Sequence, residues 1–167
     1  FPIAKGMKQA GNKVISILGA RNKSLLILED DFKQISDELV IVTDDGSYGR
    51  KAVVTVPLNE ICNAQKVDMI VAIGPAIMMK FASQTAVKHN IPVVVSLNTI
   101  MIDGTGMCGG CRVEVGGQTK FVCVDGPEFD GSKVNFDLMM KRMQAYKKLE
   151  QKALEEYNHK CNIGLDK

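Results

Sequence analysis

Short apolar segments that alternate with helix-like segments constrain the fold of this chain more than any other feature of its sequence. Four segments rich in β-branched residues are typical of buried strands: residues 14–18, 39–43, 69–73 and 91–97. Helices are expected around and between them, at residues 2–10, 24–35, 57–63 and 75–88. Ser24 is the expected N-cap of the second helix. Strands that alternate with helices indicate an α/β fold with a doubly wound parallel sheet.

Size and charge exclude several classes of protein. The 167 residues suffice for one domain of ordinary size with its own core. A net charge of +2 gives no electrostatic case for binding nucleic acid or an anionic membrane. The longest apolar stretch, residues 69–79, is interrupted by Gly74-Pro75 and is too short to span a bilayer. Five cysteines, three of them clustered, favour a reducing cytoplasm over secretion.

The cluster of cysteines lies in a glycine-rich segment with the spacing D-x4-C-x2-C-x11-C. The four residues are Asp103, Cys108, Cys111 and Cys123. Plant-type 2Fe-2S proteins use C-x4-C-x2-C and a distant fourth cysteine, so an aspartate here occupies the first ligand position. Glycines around the motif let the backbone fold closely around a bound group. The spacing predicts a 2Fe-2S cluster and therefore a role in electron transfer.

A predicted hairpin follows the cysteine loop. Gly116-Gly117 separates two strand-like segments, residues 112–115 and 118–123, which is a strong signal for a two-residue β-turn. That turn places Cys111 nearly opposite Val122, so Cys111 and Cys123 are expected at the same open end of the hairpin. Three thiolates and one carboxylate are then expected to converge.

Other interpretations of the cysteines stay open at this point. Zinc also binds thiolate and carboxylate, although structural zinc sites more often contain paired C-x2-C units or histidines. The thiols also fit a redox pair or ordinary core residues. Cys62 and Cys161 lack ligand spacing and are interpreted as incidental thiols. The alternative function is a non-catalytic nucleotide-binding module with a structural zinc site.

Three turns follow the predicted strands, at the sheet edge where doubly wound folds bind ligands. They are Gly19–Asn22, Thr43–Gly49 and Gly74–Pro75. We expect Arg21 near a phosphate or ribose of NAD(P). Hydrogen bonds to ribose hydroxyls or the pyrophosphate are expected from Thr43, Asp45 and Ser47. The full candidate set is Gly19, Arg21, Thr43, Asp45, Ser47, Gly74 and Pro75. The same residue types also end strands where no ligand binds.

A charged helix is predicted from Ser132 to about His159. Apolar residues recur along it at three- and four-residue steps: Phe136, Met139, Met143, Tyr146, Leu149, Ala153 and Tyr157. The pattern favours one long helix packed along this stripe, with room for a partner interface. Three regions follow: an NAD(P)-binding α/β domain at residues 1–98, a cluster loop and hairpin at 99–131, and the helix and tail at 132–167.

The segment from Met107 to Asp130 resembles the carboxy-terminal part of a group of small flavoprotein subunits. The group includes the small subunits of NADH-dependent ferredoxin:NADP oxidoreductase and of sulfide dehydrogenase and, more distantly, the dihydroorotate dehydrogenase electron-transfer subunit. All belong to the ferredoxin–NADP reductase superfamily. The similarity runs over essentially the whole chain and includes residues 19–21, 43–49, 73–75 with 78–79, and 96–98.

The resemblance implies a function and a set of cofactors. Aspartate in the first ligand position is similar to the ferredoxin:NADP branch, so Asp103, Cys108, Cys111 and Cys123 would hold the 2Fe-2S cluster. Hydride would pass between NAD(P)H and FAD, and electrons would then reach a larger iron–sulfur flavoprotein subunit. No side chain is expected to be catalytic, and Ile73 stands where the superfamily often has a cysteine.

The resemblance also implies that this chain is the carboxy-terminal portion of such a subunit. FAD is expected to bind mainly to an amino-terminal barrel upstream of Phe1, together with the first strand and glycine-rich loop of the nucleotide domain. The portion alone is then expected to bind NAD(P) poorly and to be inactive.

Overall fold

A computed structural model describes the backbone of residues 1–162 and the side chains of residues 1–158. The chain divides into two compact units. The first contains residues 1–70 and 81–92, and the second contains residues 71–80 and 93 onward. Within residues 1–162, none of the helices combines the length and the apolar character needed to cross a membrane.

The first unit is built on a parallel sheet of strand order β1-β2-β3. Its strands are β1 (Ile15–Ala20), β2 (Glu38–Thr43) and β3 (Arg50–Lys51), and its helices are α1 (Pro2–Gln9), α2 (Glu29–Ile35) and α3 (Thr55–Ala64). Ile15 pairs with Glu38 and Ala20 pairs with Thr43, so β1 and β2 end at the same level. The turns that follow these two strands therefore lie side by side. The predicted α/β fold with a parallel sheet is confirmed.

The second helix begins later than predicted. Ser24 lies in a single 3₁₀ turn, Lys23–Leu25, where its hydroxyl donates a hydrogen bond to Asn22 Oδ1 at 2.6 Å. Leu28 then adopts a left-handed conformation with φ of 57°, and α2 begins at Glu29. Glu29, Asp30 and Asp31 occupy the first turn, where negative charge favours a helix N-terminus. The prediction of Ser24 as the N-cap was wrong.

The second unit contains a sheet of strand order β4-β5-β8 and a separate hairpin. The sheet strands are β4 (Ile70–Ile73, whose first residue is counted in the first unit), β5 (Val93–Ser96) and β8 (Glu128–Asp130). The hairpin strands are β6 (Arg112–Val115) and β7 (Gln118–Phe121). The helices are α4 (Ala76–Lys88, which runs into the first unit), α5 (Val122–Asp125), α6 (Phe136–Met143) and α7 (Lys147–Asn162). Strand β8 is antiparallel to β5 and was not predicted, because three residues are too few for a periodic pattern.

Side chains from the sheet, the hairpin, α5 and α6 form the core of the second unit. Val95, Val122 and Met139 are at most 1% exposed. Around them lie Val93, Leu97, Cys111, Val113 and Phe136, which are also buried. Residues of the cysteine segment thus belong to a packed core, which holds the hairpin end of the loop in place.

The carboxy-terminal segment is helical as predicted, but it forms two helices and begins at Phe136 instead of Ser132. Hydrogen bonds from Gln144 N to Lys141 O and from Lys147 N to Gln144 O, at 3.4 and 3.2 Å, close tight turns between α6 and α7. Packing also changes along the stripe. Phe136 and Met139 are buried, whereas Leu149, Leu154 and Tyr157 of α7 are each at least 60% exposed. The prediction of one helix packed along its whole stripe was wrong for α7.

Candidate functional site

The glycine-rich loop is organised around the carboxylate of Asp103. Asp103 Oδ1 accepts a hydrogen bond from the backbone N–H of Thr105 at 2.9 Å, and Oδ2 accepts one from the N–H of Cys108 at 2.7 Å. Gly104 and Gly106 have φ of 72° and 82°, which residues with a Cβ rarely adopt. The loop therefore folds back on Asp103 and brings its carboxylate beside the backbone of Cys108.

These hydrogen bonds also determine the charge of Asp103. The backbone N–H of Thr105, and after it that of Cys108, holds the pKa of the Asp103 carboxyl below its ordinary value. The carboxylate is therefore ionised at neutral pH. Ionised oxygen is the form in which an aspartate binds a metal ion.

The hairpin brings two thiols together. Arg112 pairs with Phe121, and the N–H of Val122 donates to the carbonyl of Cys111 at 3.3 Å, so the predicted register is confirmed. Strand β7 ends at Phe121, and the chain turns into α5, which contains Cys123. The Sγ atoms of Cys111 and Cys123 are 3.3 Å apart. Both thiols thus lie at the open end of the hairpin, as the glycine turn predicted.

The environment of Cys123 favours the protonated form of its thiol. The thiol of Cys111, together with partial burial, raises the pKa of Cys123 above its ordinary value. Cys111 itself is 2% exposed. A metal ion binds thiolate, so loading of this pair would release protons.

Cys108 lies apart from this pair. Its side chain is exposed, and its Sγ accepts a hydrogen bond from the N–H of Gly110 at 3.4 Å. Within the part of the chain that the structure describes, no three His, Cys, Asp or Glu side chains are grouped closely enough to hold a metal ion. The structure therefore brings together Cys111 and Cys123, and separately Asp103 and the backbone of Cys108. The four-ligand set stays a prediction.

The residues present nevertheless fit an iron–sulfur cluster. Thiolates are the usual ligands of such clusters, and one carboxylate supplies a harder oxygen donor. The loop also depends on glycine for its close approach to neighbours. A Cβ on Gly106 would lie 3.1 Å from Cγ2 of Val124, which is closer than an ordinary van der Waals contact. The loop thus combines the right donors with a backbone that can wrap closely around a small inorganic group.

In the first unit, the turns after β1 and β2 form hydrogen bonds with each other, as predicted for the edge of a parallel sheet, and we call them the joined turns. The N–H of Asp45 donates to the carbonyl of Arg21 at 3.2 Å, and the N–H of Lys23 donates to Ser47 Oγ at 2.8 Å. The hydroxyl and the N–H of Ser47 also hold the pKa of the Asp45 carboxyl below its ordinary value. Arg21, Asp45 and Ser47 therefore lie in one small region at the carboxyl ends of the two strands.

Two of the predicted nucleotide residues have structural tasks. Thr43 is fully buried, and its Oγ1 donates to the carbonyl of Tyr48 at 2.7 Å and accepts from the Tyr48 N–H at 3.2 Å. Gly19 packs so closely against Val54 that a Cβ would clash with the Val54 side chain. Both residues shape the turns, and neither needs a ligand to explain its presence.

The last two predicted residues, Gly74 and Pro75, belong to the second unit. They follow β4 and precede α4, and the carbonyl of Pro75 accepts the first helical hydrogen bond, from Met79 N at 3.0 Å. The start of α4 directly after Pro75 confirms the predicted helix. Whether these residues contact a nucleotide stays a prediction.

Sequence reasoning missed a network beside the joined turns. The hydroxyl of Tyr48 donates to Glu29 Oε1 at 2.8 Å, and Lys23 Nζ lies 5.0 Å from the centre of the Tyr48 ring. Glu29 also forms an ion pair of 2.6 Å with Lys33. The contact with Lys33 and, after it, the hydrogen bond from Tyr48 lower the pKa of Glu29. The same hydrogen bond to Glu29 raises the pKa of Tyr48. The i,i+4 spacing of Glu29 and Lys33 on a helix could have indicated their ion pair, whereas nothing in the spacing predicted the contacts of Tyr48.

Comparison with known proteins shows which class of protein this chain resembles. Residues 98–135 match the iron–sulfur cluster binding domain of dihydroorotate dehydrogenase B. A Thermotoga maritima protein described as a homologue of the dihydroorotate dehydrogenase B (NAD(+)) electron transfer subunit is 52% identical over 157 residues, or 94% of this chain and 55% of its own length. A probable subunit of the same kind from Methanocaldococcus jannaschii is 44% identical over 126 residues, or 75% of this chain and 48% of its own length.

A solved structure agrees with these relatives. It comes from work on flavin-based electron bifurcation by NADH-dependent reduced ferredoxin–NADP oxidoreductase. This chain superposes with a TM-score of 0.84 and 50% identity, over 94% of its own length and 56% of that chain. The chain spans about half the length of the curated relatives it matches.

This chain is therefore a homologue of electron-transfer subunits of oxidoreductases. More particularly, it is related to the dihydroorotate dehydrogenase B electron transfer subunits and to the ferredoxin–NADP oxidoreductase structure, and the resemblance predicted from its sequence is confirmed.

Proposed function

We propose that this chain is the NAD(P)-binding and 2Fe-2S-bearing portion of an electron-transfer subunit of the ferredoxin:NAD(P) oxidoreductase type. The observation that carries the proposal is the loop at residues 103–123. It matches an iron–sulfur binding family, and it places the Sγ atoms of Cys111 and Cys123 3.3 Å apart. The proposed regions are residues 1–98 for the nucleotide, 99–131 for the cluster and 132–167 for the carboxy-terminal helix and tail.

Four side chains hold the cluster in this proposal: Asp103, Cys108, Cys111 and Cys123. The hairpin and the packed core fix Cys111, and α5 fixes Cys123 beside it. Asp103 and Cys108 lie on the glycine-rich part of the loop, whose backbone can move without steric cost from a Cβ. The cluster, when bound, supplies one-electron transfer, and this chain's residues hold it and exclude water from the buried side.

The joined turns of the first unit form the proposed nucleotide site. Arg21 offers a permanent positive charge for a phosphate, and Ser47 offers a hydroxyl to a ribose or pyrophosphate. Asp45 is ionised, since its pKa is lowered, and can accept hydrogen bonds from ribose hydroxyls. Thr43 and Gly19 keep the turns in position. Gly74 and Pro75, in the second unit, are proposed as nucleotide-binding residues from the sequence alone.

The wider assignment rests on the relatives. In the whole protein, NAD(P)H supplies a hydride, FAD converts two-electron into one-electron transfer, and a larger iron–sulfur flavoprotein subunit receives the electrons. FAD is then bound mainly by an amino-terminal barrel of the whole subunit. We place the protein in the cytoplasm because three of its five cysteines are proposed as metal ligands, not as members of disulfides.

The cysteine assignment is tested by measuring iron, sulfide and visible absorption after anaerobic reconstitution. Serine at Cys108, Cys111 or Cys123 should abolish most of the bound iron and the visible bands, because each replacement removes a soft ligand. Cys62→Ser is the matched control. Cys62 is a partly buried thiol whose pKa is raised by burial alone, and it lies in α3, far along the chain from the loop.

Two results would contradict the cysteine assignment. Full iron retention in Cys123→Ser would remove Cys123 from the ligand set. A colourless protein that binds one zinc ion per chain would favour a structural zinc site over electron transfer.

The nucleotide site is tested by NMR titration with NADH and NADPH, which detects weak binding. Arg21→Gln should weaken binding several-fold, and the loss should be greater for NADPH if Arg21 contacts a 2′-phosphate. Lys13→Gln is the control. It also removes one positive charge, but Lys13 precedes β1, whereas Arg21 follows it. Equal affinities for the two variants would remove Arg21 from the proposed site.

A further inference from the structure

A pocket beside Cys108 contains two arginines. Its volume is about 320 Å³, and Cys108, Gly109 and Gly110 of the loop form part of its wall. Arg112 and Arg142 also line the pocket, together with apolar side chains that include Ile102 and Met139. Among the side chains of residues 1–158, no Asp or Glu lines this pocket. Its charged lining, over those residues, is therefore positive.

The two arginines lack the usual partners of a guanidinium. Among the described residues, neither Arg112 nor Arg142 has a carboxylate oxygen within 4.0 Å, although eight other ion pairs are present. Arg142 is only partly exposed, at the last turn of α6. A partly desolvated cation is stabilised by a nearby negative charge.

We infer that Arg142, with Arg112, raises the reduction potential of the cluster held at Cys108. The inference rests on the proposed function. Reduction adds one negative charge to the cluster, and a positive charge nearby stabilises the more negative state. The effect is greater in a partly enclosed pocket than on an open surface, because water and salt screen it less. Arg142 therefore acts on the cluster through its positive charge and is not a ligand.

Arg142 is the better residue to change. Arg112 is adjacent to the proposed ligand Cys111, so its replacement also risks moving a ligand. Arg142 lies on a different element and is 31 residues from Cys111. Lys141 supplies a matched control: it is the preceding residue of the same helix, it carries the same charge, it is exposed, and it does not line the pocket.

The experiment is a potentiometric titration of the reconstituted full chain, followed by electron paramagnetic resonance of the reduced cluster. Arg142→Gln should lower the midpoint potential, and Arg142→Lys should stay near the wild type. Lys141→Gln should shift the potential much less than Arg142→Gln. Added salt should reduce the effect of Lys141 more than that of Arg142.

The outcomes separate this inference from the proposed function. A wild-type chain with no iron and no signal after reduction would contradict the proposed function itself. A normal signal with equal shifts in Arg142→Gln and Lys141→Gln would overturn the role of Arg142 alone. So would a shift in Arg142→Lys as large as that in Arg142→Gln, because the charge would then not be the cause. If Arg142→Gln retains no cluster, Arg112→Gln carries the same expectation of a lowered potential, and an unchanged potential there would overturn the inference.

Discussion

Gly49 offers a sharp test of how the turn after β2 is built. Its φ is 62°, in the left-handed region, and it directly follows Tyr48, whose carbonyl accepts the hydroxyl of Thr43. A Cβ on Gly49 would clash with the carbonyl oxygen of Ile41 and would lie 2.9 Å from the Ile41 carbonyl carbon. Because the obstacle is backbone of a sheet strand, no side-chain rotation can relieve it.

The cost of Gly49→Ala follows from two separate effects. The left-handed conformation costs a residue with a Cβ about 1–2 kcal/mol. Forcing the turn away from the Ile41 carbonyl adds roughly 1–3 kcal/mol, the usual range for overpacking. The free energy of unfolding should therefore fall by about 2–5 kcal/mol. With a urea slope of about 2 kcal/mol per molar, the midpoint should fall by roughly 1–2.5 M.

Gly11→Ala separates the two effects. Gly11 also has a left-handed conformation, with φ of 84°, but apart from Gly11 and its two chain neighbours no atom of the described residues lies within 4 Å of the position that its Cβ would occupy. This variant should lose only the conformational cost, about 1–2 kcal/mol. Urea unfolding followed by circular dichroism measures both variants against the wild type. If Gly49→Ala loses no more than Gly11→Ala, the close approach to Ile41 does not constrain the turn.

Two further predictions concern carboxylates. Lys8 first, and then the N–H of Val14, lowers the pKa of Asp37, so its contribution to stability should be present above its ordinary pKa near 4 and be lost as pH falls through the lower folded value. Asp37→Asn should therefore reduce stability at neutral pH and flatten the acid limb of the stability profile, measured by urea unfolding at several pH values; an unchanged acid limb would exclude this role. Asp103→Cys should retain the cluster and change its potential, whereas Asp103→Ala should retain less iron, as measured by iron and sulfide analysis. Full iron in Asp103→Ala would show that Asp103 is not a ligand.

The sequence predicted the features that depend on local chemistry. Gly116-Gly117 allows both turn residues a positive φ, observed at 59° and 76°, and a two-residue turn leaves one register for the hairpin. That register alone placed Cys111 and Cys123 at the same end. The apolar strands β1 and β2 were predicted for a similar reason, since β-branched runs bounded by turn residues have few other stable conformations.

Features that depend on tertiary contacts were missed. Strand β8 is three residues long and exists because Leu97 N donates to the carbonyl of Pro127 and Gly131 N donates to that of Val93, both across the sheet. The break between α6 and α7 has no glycine or proline to mark it. Its tight turns keep the three- and four-residue spacing of apolar side chains, so the periodic pattern continues across the break.

The loop at residues 103–123 was predicted in part, because one half of it depends on the hairpin and the other half does not. Cys111 and Cys123 are fixed by the hairpin and the core, so spacing alone placed them correctly. Asp103 and Cys108 are exposed and are held by hydrogen bonds within a loop of left-handed glycines, and glycine allows a backbone more conformations than other residues do. The free energy of metal–ligand bonds can select among such conformations, because metal binding and local folding are coupled. We therefore expect the hairpin half of the site to be the same with and without the cluster, and the backbone between Asp103 and Cys108 to adjust around it while Cys108 stays beside the pocket that Gly109 and Gly110 also line.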